Sequence, residues 1–288
     1  MKVARSPEEL GGGPRAVALG TFDGVHLGHR RVIDAVLQAG TEPTVVTFDP
    51  HPRTALGHRV DLLSTIERRL ELLAELGVAA TLVLEFTLDM ARLEPHEFAE
   101  QMLRRIGTEL VAAGADFRFG RARQGDLQTL AGLGFDVRPV PLLEGVSSTR
   151  IRELARDGDV EGAARMLGRP VEVEGTVVTG EARGGTLGFP TANLDVRPEL
   201  LVPGYGIYAG AAADHRAAVS IGTNPHYGGQ ERRVEAYLLD FSGELYGERL
   251  VVELWQRLRD EQAFESESEL IDQITRDVDA AKIARRPA

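Results

Sequence analysis

The chain has 288 residues, of which 43% are hydrophobic and 27% charged, and its formal net charge is −11 at pH 7. This composition is typical of globular proteins, and the length suffices for two domains. The negative charge disfavours extended nucleic-acid binding, and the absence of cysteine excludes disulfides, thiolate metal sites and cysteine nucleophiles. No apolar run approaches the about 20 residues of a membrane span, and the first residues lack a signal-peptide core. We therefore expect no membrane partner and a cytoplasmic location.

The first half of the chain alternates apolar runs with helical patterns, which predicts a doubly wound, Rossmann-like α/β domain with a parallel sheet. Helical spacing is seen over residues 29–39 and 65–76, the latter with apolar residues at 66, 70, 73 and 76. Ligands of such sheets bind beyond the carboxyl ends of the strands. The predicted strands cover residues 16–19, 45–48, 81–84, 110–113 and 137–140.

A glycine-rich turn with two histidines follows the first predicted strand, and residues 20–29 read GTFDGVHLGH. His26 and His29 share one helical face at this spacing, so both imidazoles can converge on one ligand. The glycines let backbone N–H groups approach an anion, and the helix start adds its positive dipole end. The segment predicts a cradle for a nucleotide α-phosphate, although a surface turn with incidental histidines is the alternative. Its other predicted nucleotide-binding residues are Gly20, Thr21, Phe22, Asp23, Gly24 and Gly28.

Two further strand ends bring polar and aromatic side chains to the same predicted edge. Asp49 and His51 lie in the segment TFDPHP, which two prolines stiffen, and a rigid turn is equally compatible with it. The segment GADFRFG places Asp116 beside Phe117 and Phe119. These aromatic rings either fill the base of a loop or contact a flat aromatic ligand.

The segment SSTRIR at residues 147–152 opens a predicted helix after the last strand of the first half. The hydroxyls of Ser147, Ser148 and Thr149 can cap this helix, while Arg150 and Arg152 supply charge-assisted donors. The predicted ligands of triphosphate oxygens are Ser148, Thr149, Arg150 and Arg152. Basic residues in a first turn oppose the helix dipole, so we expect an anionic ligand there. An ordinary N-cap is the alternative.

The pattern changes near residue 167, so we predict domains at residues 1–167 and 168–288. A helical stretch from 148 to 167 breaks at 157–159, and alternating strands then predict an antiparallel barrel or sandwich, of which we favour the barrel. Ser266 and Glu269 predict a capping box for a terminal helix with Leu270, Ile274 and Val278 on its buried stripe. The strands are predicted at 171–178, 207–211, 217–221 and 234–239, with another whose residues 250, 252, 254 and 258 share a face.

A second glycine-rich loop, GEARGGTLGFPTAN at residues 180–193, lies early in this half. Backbone N–H groups at Gly180, Gly184 and Gly188 can wrap phosphates. Thr191 and Asn193 are oxygen donors two residues apart, which in an extended segment face one side and suit Mg²⁺. A barrel turn containing a proline is the alternative.

Over essentially its full length the chain resembles the prokaryotic bifunctional riboflavin kinase / FAD synthetase family. GTFDGVHLGH resembles its nucleotidyltransferase signature, in which the two histidines stabilise the α-phosphate of ATP, and SSTRIR matches its second nucleotide motif. The segments 47–52 and 114–120 resemble those that shape its flavin and nucleotide pocket. The loop ending in PTAN resembles its kinase signature, and Glu235 matches its general base for the ribityl 5′-hydroxyl. Residues 258–261 extend the match and imply a flavin contact for Arg259.

The resemblance implies two reactions with ATP as co-substrate and Mg²⁺ as metal. The C-terminal domain would phosphorylate riboflavin to FMN, and the N-terminal domain would join FMN and ATP into FAD with release of pyrophosphate. Another nucleotidyltransferase or a class I aminoacyl-tRNA synthetase is a rival, since both use a similar histidine loop, but this rival leaves the second domain unexplained. A synthetase also normally carries a lysine-rich signature that this chain lacks. A flavin-binding protein without one activity is another rival, favoured only by Gly185, where relatives commonly carry arginine. The oligomeric state is not predicted.

Overall fold

The structure, a computed structural model, describes residues 1–180, 188–223 and 232–287. The chain divides into two compact units, Met1–Val146 and Ser147–Ala288. The boundary between the units comes before the helical stretch at residues 148–167, which we assigned to the first domain from the sequence. The boundary at residue 167 stays a prediction.

The first unit contains a six-stranded parallel sheet in the order β1-β4-β3-β2-β5-β6. Successive residues of its central strands alternate between two apolar clusters: Val17 and Leu19 pack on one side, Ala16 and Ala18 on the other. Both faces are therefore covered, as parallel sheets require. The strands are β1 (Lys2–Ala4), β2 (Arg15–Leu19), β3 (Glu42–Phe48), β4 (Ala80–Leu84), β5 (Thr108–Gly114) and β6 (Asp136–Val140).

Six α-helices connect these strands, and two differ from the sequence prediction. The helix predicted from residue 29 begins at Leu27, because the His26 side chain caps it. The helix predicted over 65–76 begins at Ile66 with Thr65 as its N-cap, and it buries Arg69 and Leu72 where the pattern predicted Leu70 and Leu76. The helices are α1 (Pro7–Leu10), α2 (Leu27–Leu37), α3 (Pro52–Ala55), α4 (Ile66–Glu75), α5 (Pro95–Phe98) and α6 (Leu127–Gly132).

The second unit is a closed antiparallel barrel with two helices before it and one after it, which confirms the predicted architecture. The strand order is β10-β11-β8-β7-β12-β9, and closure leaves no unpaired sheet edge. Alternate residues such as Val219 and Val234 are fully buried. The elements are α7 (Ser148–Arg156), α8 (Val160–Leu167), β7 (Val171–Val178), β8 (Ala192–Asp195), β9 (Gly206–Ala212), β10 (His215–Thr223), β11 (Arg232–Leu238), β12 (Arg249–Arg259) and α9 (Glu267–Ile283).

Two local predictions in this unit need correction. In β12 a register shift between Leu254 and Gln256 lets Trp255 become buried as well, so the predicted single face does not continue to residue 258. At α9 the Ser266 hydroxyl accepts from the Glu269 N–H as predicted, but the Glu269 carboxylate accepts from the Glu265 N–H, one residue before the cap. Within the described ranges, no helix combines the length and apolar character that crossing a lipid bilayer requires.

Candidate active sites

The order of the sheet brings three predicted segments to one edge of the first unit. β2 lies between β3 and β5, so the loops that follow these parallel strands are neighbours. They carry the glycine–histidine turn, the pair Asp49 and His51, and the stretch from Asp116 to Phe119. The Thr47 hydroxyl donates to the Thr21 carbonyl at 2.9 Å and joins the first two. At this edge the chain connections lead towards opposite sides of β2, to β3 on one side and to β5 on the other. Ligands of such sheets usually bind at this point.

The two histidines lie on top of one another at the start of α2. Their rings stack with centroids 3.5 Å apart and 13° between planes, and Phe22 contacts His29 edge-on at 5.3 Å. His26 is buried, and its Nδ1 accepts from the His29 backbone N–H at 3.2 Å. A nitrogen that accepts carries no proton, so the neutral His26 ring holds its proton on Nε2. That Nε2–H is a donor suited to a phosphate oxygen.

Small residues and a left-handed backbone shape this turn. Phe22, Gly24 and Val25 have φ values of 50°, 79° and 40°. A Cβ on Gly24 would lie 2.8 Å from Leu63 Cδ1, and one on Gly28 would lie 3.1 Å from His26 Cε1. Glycine at these two positions therefore permits the close packing of the loop and of the His26 ring.

Asp23 is a buried carboxylate that anchors the turn. It is 1% exposed, and its Oδ1 accepts from the backbone N–H groups of Leu63 and Ser64 at 2.9 and 3.3 Å. The Gly24 N–H also donates to the Ser64 hydroxyl at 3.3 Å. These contacts join the turn to the segment before α4, so the buried Asp23 holds the turn in place through its hydrogen bonds.

Arg69 on α4 is a buried cation that the sequence analysis missed. It is 2% exposed, and its guanidinium donates to the Thr47 hydroxyl at 3.4 Å and the Phe48 carbonyl at 3.3 Å. One terminal nitrogen lies 4.0 Å from Asp23 Oδ1. Burial lowers the pKa of Arg69 from its ordinary value, and the charges of Asp23 and Asp49 oppose this change. Arg69 thus joins the ends of β2 and β3.

The segment after β3 is held by its own local contacts. His51 is buried and caps α3, with its Nδ1 accepting from the Arg53 N–H at 3.2 Å. Asp49 Oδ2 lies 3.8 Å from the Arg5 guanidinium. The same tautomer argument places the proton of a neutral His51 ring on Nε2.

Phenylalanines line one side of this edge. The rings of Phe117 and Phe119 stack at 5.9 Å with 14° between planes, and Phe119 also contacts Phe98 at 5.6 Å. Asp116 is exposed beside them. Phe48, Phe98 and Phe119 are buried in the core on one side of the sheet, so these rings fill the base of the loop, and Phe86 and Phe117 are the partly exposed members. Sequence analysis found only two members of this wall, which comprises Phe48, Phe86, Phe98, Phe117 and Phe119.

The predicted phosphate motif on α7 forms part of the second unit. Ser147, and not Ser148 or Thr149, caps the helix, accepting from the Arg150 N–H at 3.1 Å. The Arg150 side chain is exposed and pairs with Glu153 at 3.0 Å. Arg152 is buried. The first turn holds no acidic residue, so its N–H groups and Arg150 present positive charge.

The barrel brings together three predicted kinase residues, two on neighbouring strands and Thr191 just before β8. Glu235 on β11 lies opposite Asn193 on β8, and its Oε2 accepts from the Thr191 hydroxyl at 3.2 Å. The Asn193 amide nitrogen donates to the Thr191 carbonyl at 3.4 Å. Each donor group is thus engaged while the Thr191 and Asn193 side-chain oxygens keep acceptor capacity.

Two hard oxygens beside a carboxylate suit Mg²⁺, so the donor set fits the predicted ion. Glycine at position 180 leaves room for the Asn193 side chain, since a Cβ there would lie 2.3 Å from Asn193 Nδ2. Gly188 has φ 87° and no neighbouring atom within 4 Å of such a Cβ. The predicted phosphate ligand Gly184, like Gly185, lies outside the described residues.

Arg233 and an aromatic pair flank Glu235 on the same strand. The Arg233 guanidinium lies 3.3 Å from Glu235 Oε1, and the sequence analysis missed this contact. Phe189 and Tyr237 meet edge to face at 5.4 Å. Residues 233, 235 and 237 share a face because side chains alternate along a strand.

Arg259, a predicted flavin contact, forms a bidentate ion pair with Asp277 of α9. Its Nε lies 3.0 Å from Oδ1 and a terminal nitrogen lies 2.7 Å from Oδ2. The pair joins β12 to the terminal helix, and the flavin contact stays a prediction. Beside it, burial raises the pKa of Glu261.

Comparison with known proteins assigns both halves of the chain. The family models described as FAD synthetase and Riboflavin kinase match residues 12–152 and 167–284. A bifunctional riboflavin kinase/FMN adenylyltransferase of Listeria monocytogenes is 36% identical, over 91% of this chain and 90% of its own length. The Escherichia coli protein of the same name is 35% identical over 96% of each chain.

A solved structure has the same fold over the whole chain. It is the crystal structure of a Streptococcus pneumoniae protein described as a macrolide-efflux protein, with a TM-score of 0.88, 30% identity, and coverage of 98% of this chain and 99% of its own. The efflux description concerns that protein alone, whereas the curated relatives and both family models agree with the sequence resemblance. The chain belongs to the bifunctional riboflavin kinase/FMN adenylyltransferase family.

Proposed function

We propose that this protein phosphorylates riboflavin to FMN and then adenylylates FMN to FAD, using ATP for both steps. One observation carries the proposal. The side chains that the two reactions need form separate groups, with the stacked histidines in the first unit and Thr191, Asn193 and Glu235 in the barrel.

In the kinase reaction Glu235 accepts the proton of the ribityl 5′-hydroxyl, whose oxygen attacks the γ-phosphorus of ATP, and ADP leaves. The Thr191 and Asn193 side-chain oxygens would hold Mg²⁺, which neutralises phosphate charge when bound. The Thr191 hydroxyl donates to Glu235, so its lone pairs face away from the carboxylate. Backbone N–H groups of the loop from Gly180 to Gly188 would bind phosphate oxygens.

In the adenylyl transfer a phosphate oxygen of FMN attacks the α-phosphorus of ATP, and pyrophosphate leaves. The FMN phosphate is already ionised, so this step needs no general base. His26 Nε2–H and His29 stabilise the charge that develops on the transferring phosphoryl group. Arg150 and Arg152 on α7 stay proposed phosphate ligands, because their guanidinium groups offset phosphate charge.

We assign the flavin ring to the partly exposed Phe117, behind which the buried Phe119 is stacked. Asp49, His51 and Asp116 are the polar residues proposed to contact it from the neighbouring loops. The cytoplasm is the proposed location, since both reactions consume ATP.

The test is to incubate the purified protein with ATP, Mg²⁺ and either riboflavin or FMN, and to separate the products by chromatography. We expect His29→Ala to lower FAD formation by ~10²–10³, the effect of losing one preorganised donor, and to spare FMN formation. Glu235→Ala should do the reverse. If both activities fell together in a folded variant, the two-site assignment would be wrong. A product from only one substrate would favour the single-activity rival.

A further inference from the structure

Glu235 is held at both of its carboxylate oxygens by different neighbours. Oε2 accepts from the Thr191 hydroxyl at 3.2 Å, and Oε1 faces the Arg233 guanidinium at 3.3 Å. The Arg233 and Glu235 side chains are 30% and 28% exposed, so the pair lies within reach of a ligand. An ion pair of this kind does not belong to the reaction scheme derived above.

The alternation of side chains along β11 places Arg233 and Glu235 on the same face of the strand. Val234 and Ala236 are fully buried in the barrel, so residues 233 and 235 project from its opposite face. Arg232, the neighbouring cation, turns elsewhere and donates to the carbonyl of Val202. Only one of these two adjacent arginines therefore reaches the carboxylate.

A carboxylate oxygen accepts more than one hydrogen bond, so the Arg233 contact leaves a lone pair on Oε1 for the substrate hydroxyl. Glu has a long side chain, and a contact at one oxygen alone leaves the torsion at the end of the chain loosely defined. Two donors, Thr191 just before β8 and Arg233 on β11, restrict that torsion. Proton transfer depends on this alignment, because the base must face the hydroxyl within hydrogen-bond distance.

We propose that Arg233 is a positioning residue for phosphoryl transfer to riboflavin, acting through Glu235. The inference rests on the proposed function, since it takes Glu235 as the general base. Arg233 directs the free lone pair of Oε1 towards the ribityl hydroxyl, and Thr191 fixes the other oxygen. Its contribution should appear in kcat, with little change in the KM for ATP.

A double-mutant cycle tests this inference. FMN formation is measured by transfer of radiolabelled γ-phosphate for the wild type, Arg233→Ala, Glu235→Gln and the double variant. We expect Arg233→Ala to lower kcat about tenfold, the scale of a charge-assisted hydrogen bond at a half-exposed site. In the Glu235→Gln background the same change should cost less than about twofold, because its target is gone. Arg233→Lys, which keeps the charge but loses the planar fork, should restore part of the rate.

Two controls separate positioning from folding. The urea transition followed by Trp255 fluorescence reports on folding of the barrel in the same variants and should not change, and neither should FAD formation from FMN. Arg249→Ala removes another strand-borne arginine, one that pairs with Glu174 across β12 and β7 at 2.9 Å, and should leave kcat unchanged.

Three results would overturn the inference: an unchanged kcat in Arg233→Ala, an equal loss with and without Glu235, or a rise in KM alone. The second would place Arg233 on the phosphate itself. Wild-type protein that makes no FMN would instead refute the proposed kinase function, which distinguishes the two failures.

Discussion

Asp23→Asn removes the negative charge that the buried Arg69 faces while it keeps the size and shape of the side chain. The Asn oxygen can still accept from the backbone N–H of Leu63, so the turn keeps one of its anchors. Arg69 keeps its contacts with Thr47 and Phe48 but loses its nearest buried counter-charge.

Breaking a buried ion pair by removing one partner costs about 3–5 kcal/mol. The charged atoms here are 4.0 Å apart, and two neutral oxygens continue to accept from Arg69, so the lower part of that range applies. We expect the first unit to lose about 3 kcal/mol of unfolding free energy.

The composition of the chain allows this loss to be assigned to one unit. Its single Trp and all five Tyr lie in the second unit, so Trp255 fluorescence follows the barrel alone. Far-UV circular dichroism follows the helices of both units. In urea, Asp23→Asn should show an earlier transition by circular dichroism and an unchanged one by fluorescence.

Asp34→Asn is the matched control, because Asp34 is exposed on α2 and its charge faces solvent. It should leave both transitions in place. An Asp23→Asn protein as stable as this control would refute the claim that the Arg69–Asp23 pair holds the turn.

Three further variants test individual contacts. Gly180→Ala would place a Cβ 2.3 Å from Asn193 Nδ2, so we expect FMN formation to need at least about tenfold more Mg²⁺, measured by metal titration, while FAD formation is unchanged. Gly28→Ala would place a Cβ 3.1 Å from His26 Cε1 and displace the ring, so FAD formation should fall about tenfold. The same change should stabilise the helix by up to about 1 kcal/mol through its intrinsic propensity. Burial raises the pKa of Glu261, so its ionisation destabilises the folded barrel as the pH rises above the ordinary value of 4.5. Glu261→Gln should therefore flatten the pH dependence of the barrel melting temperature and raise that temperature at neutral pH; a lower value there would contradict the argument.

Hydrophobic periodicity predicted most of the fold. A strand buried on both faces gives a continuous apolar run, and a helix buried on one face gives apolar residues three or four positions apart. β2 and β4 are entirely buried, and their apolar runs predicted both strands. β1 was missed, since three residues with a half-exposed pattern carry almost no periodic signal. β8 was read as a loop because its residues Ala-Asn-Leu-Asp have little strand propensity, and pairing with β7 and β11 forms it.

The candidate sites were predictable where one short segment supplies several groups. His26 and His29 stand three apart, and Thr191 and Asn193 two apart, so spacing alone suggested their convergence. Arg69 acts from a helix on the ends of two strands, and a pattern that treats charge as exposed passes over it. Arg233 stands two residues from Glu235 on β11, so the spacing carried a signal for that contact. A signal existed for Arg69: it stands three and four residues from the buried Ile66 and Leu73, on the apolar face of α4.

The wall of phenylalanines in the first unit has an optical consequence. Tyr and Trp quench excited flavins by donating an electron, whereas Phe is too hard to oxidise to do so. The first unit contains neither Tyr nor Trp. A flavin stacked on that wall would keep its emission, so the anisotropy of that emission, which rises when the ring stops tumbling freely, would report on occupancy of the adenylylation site.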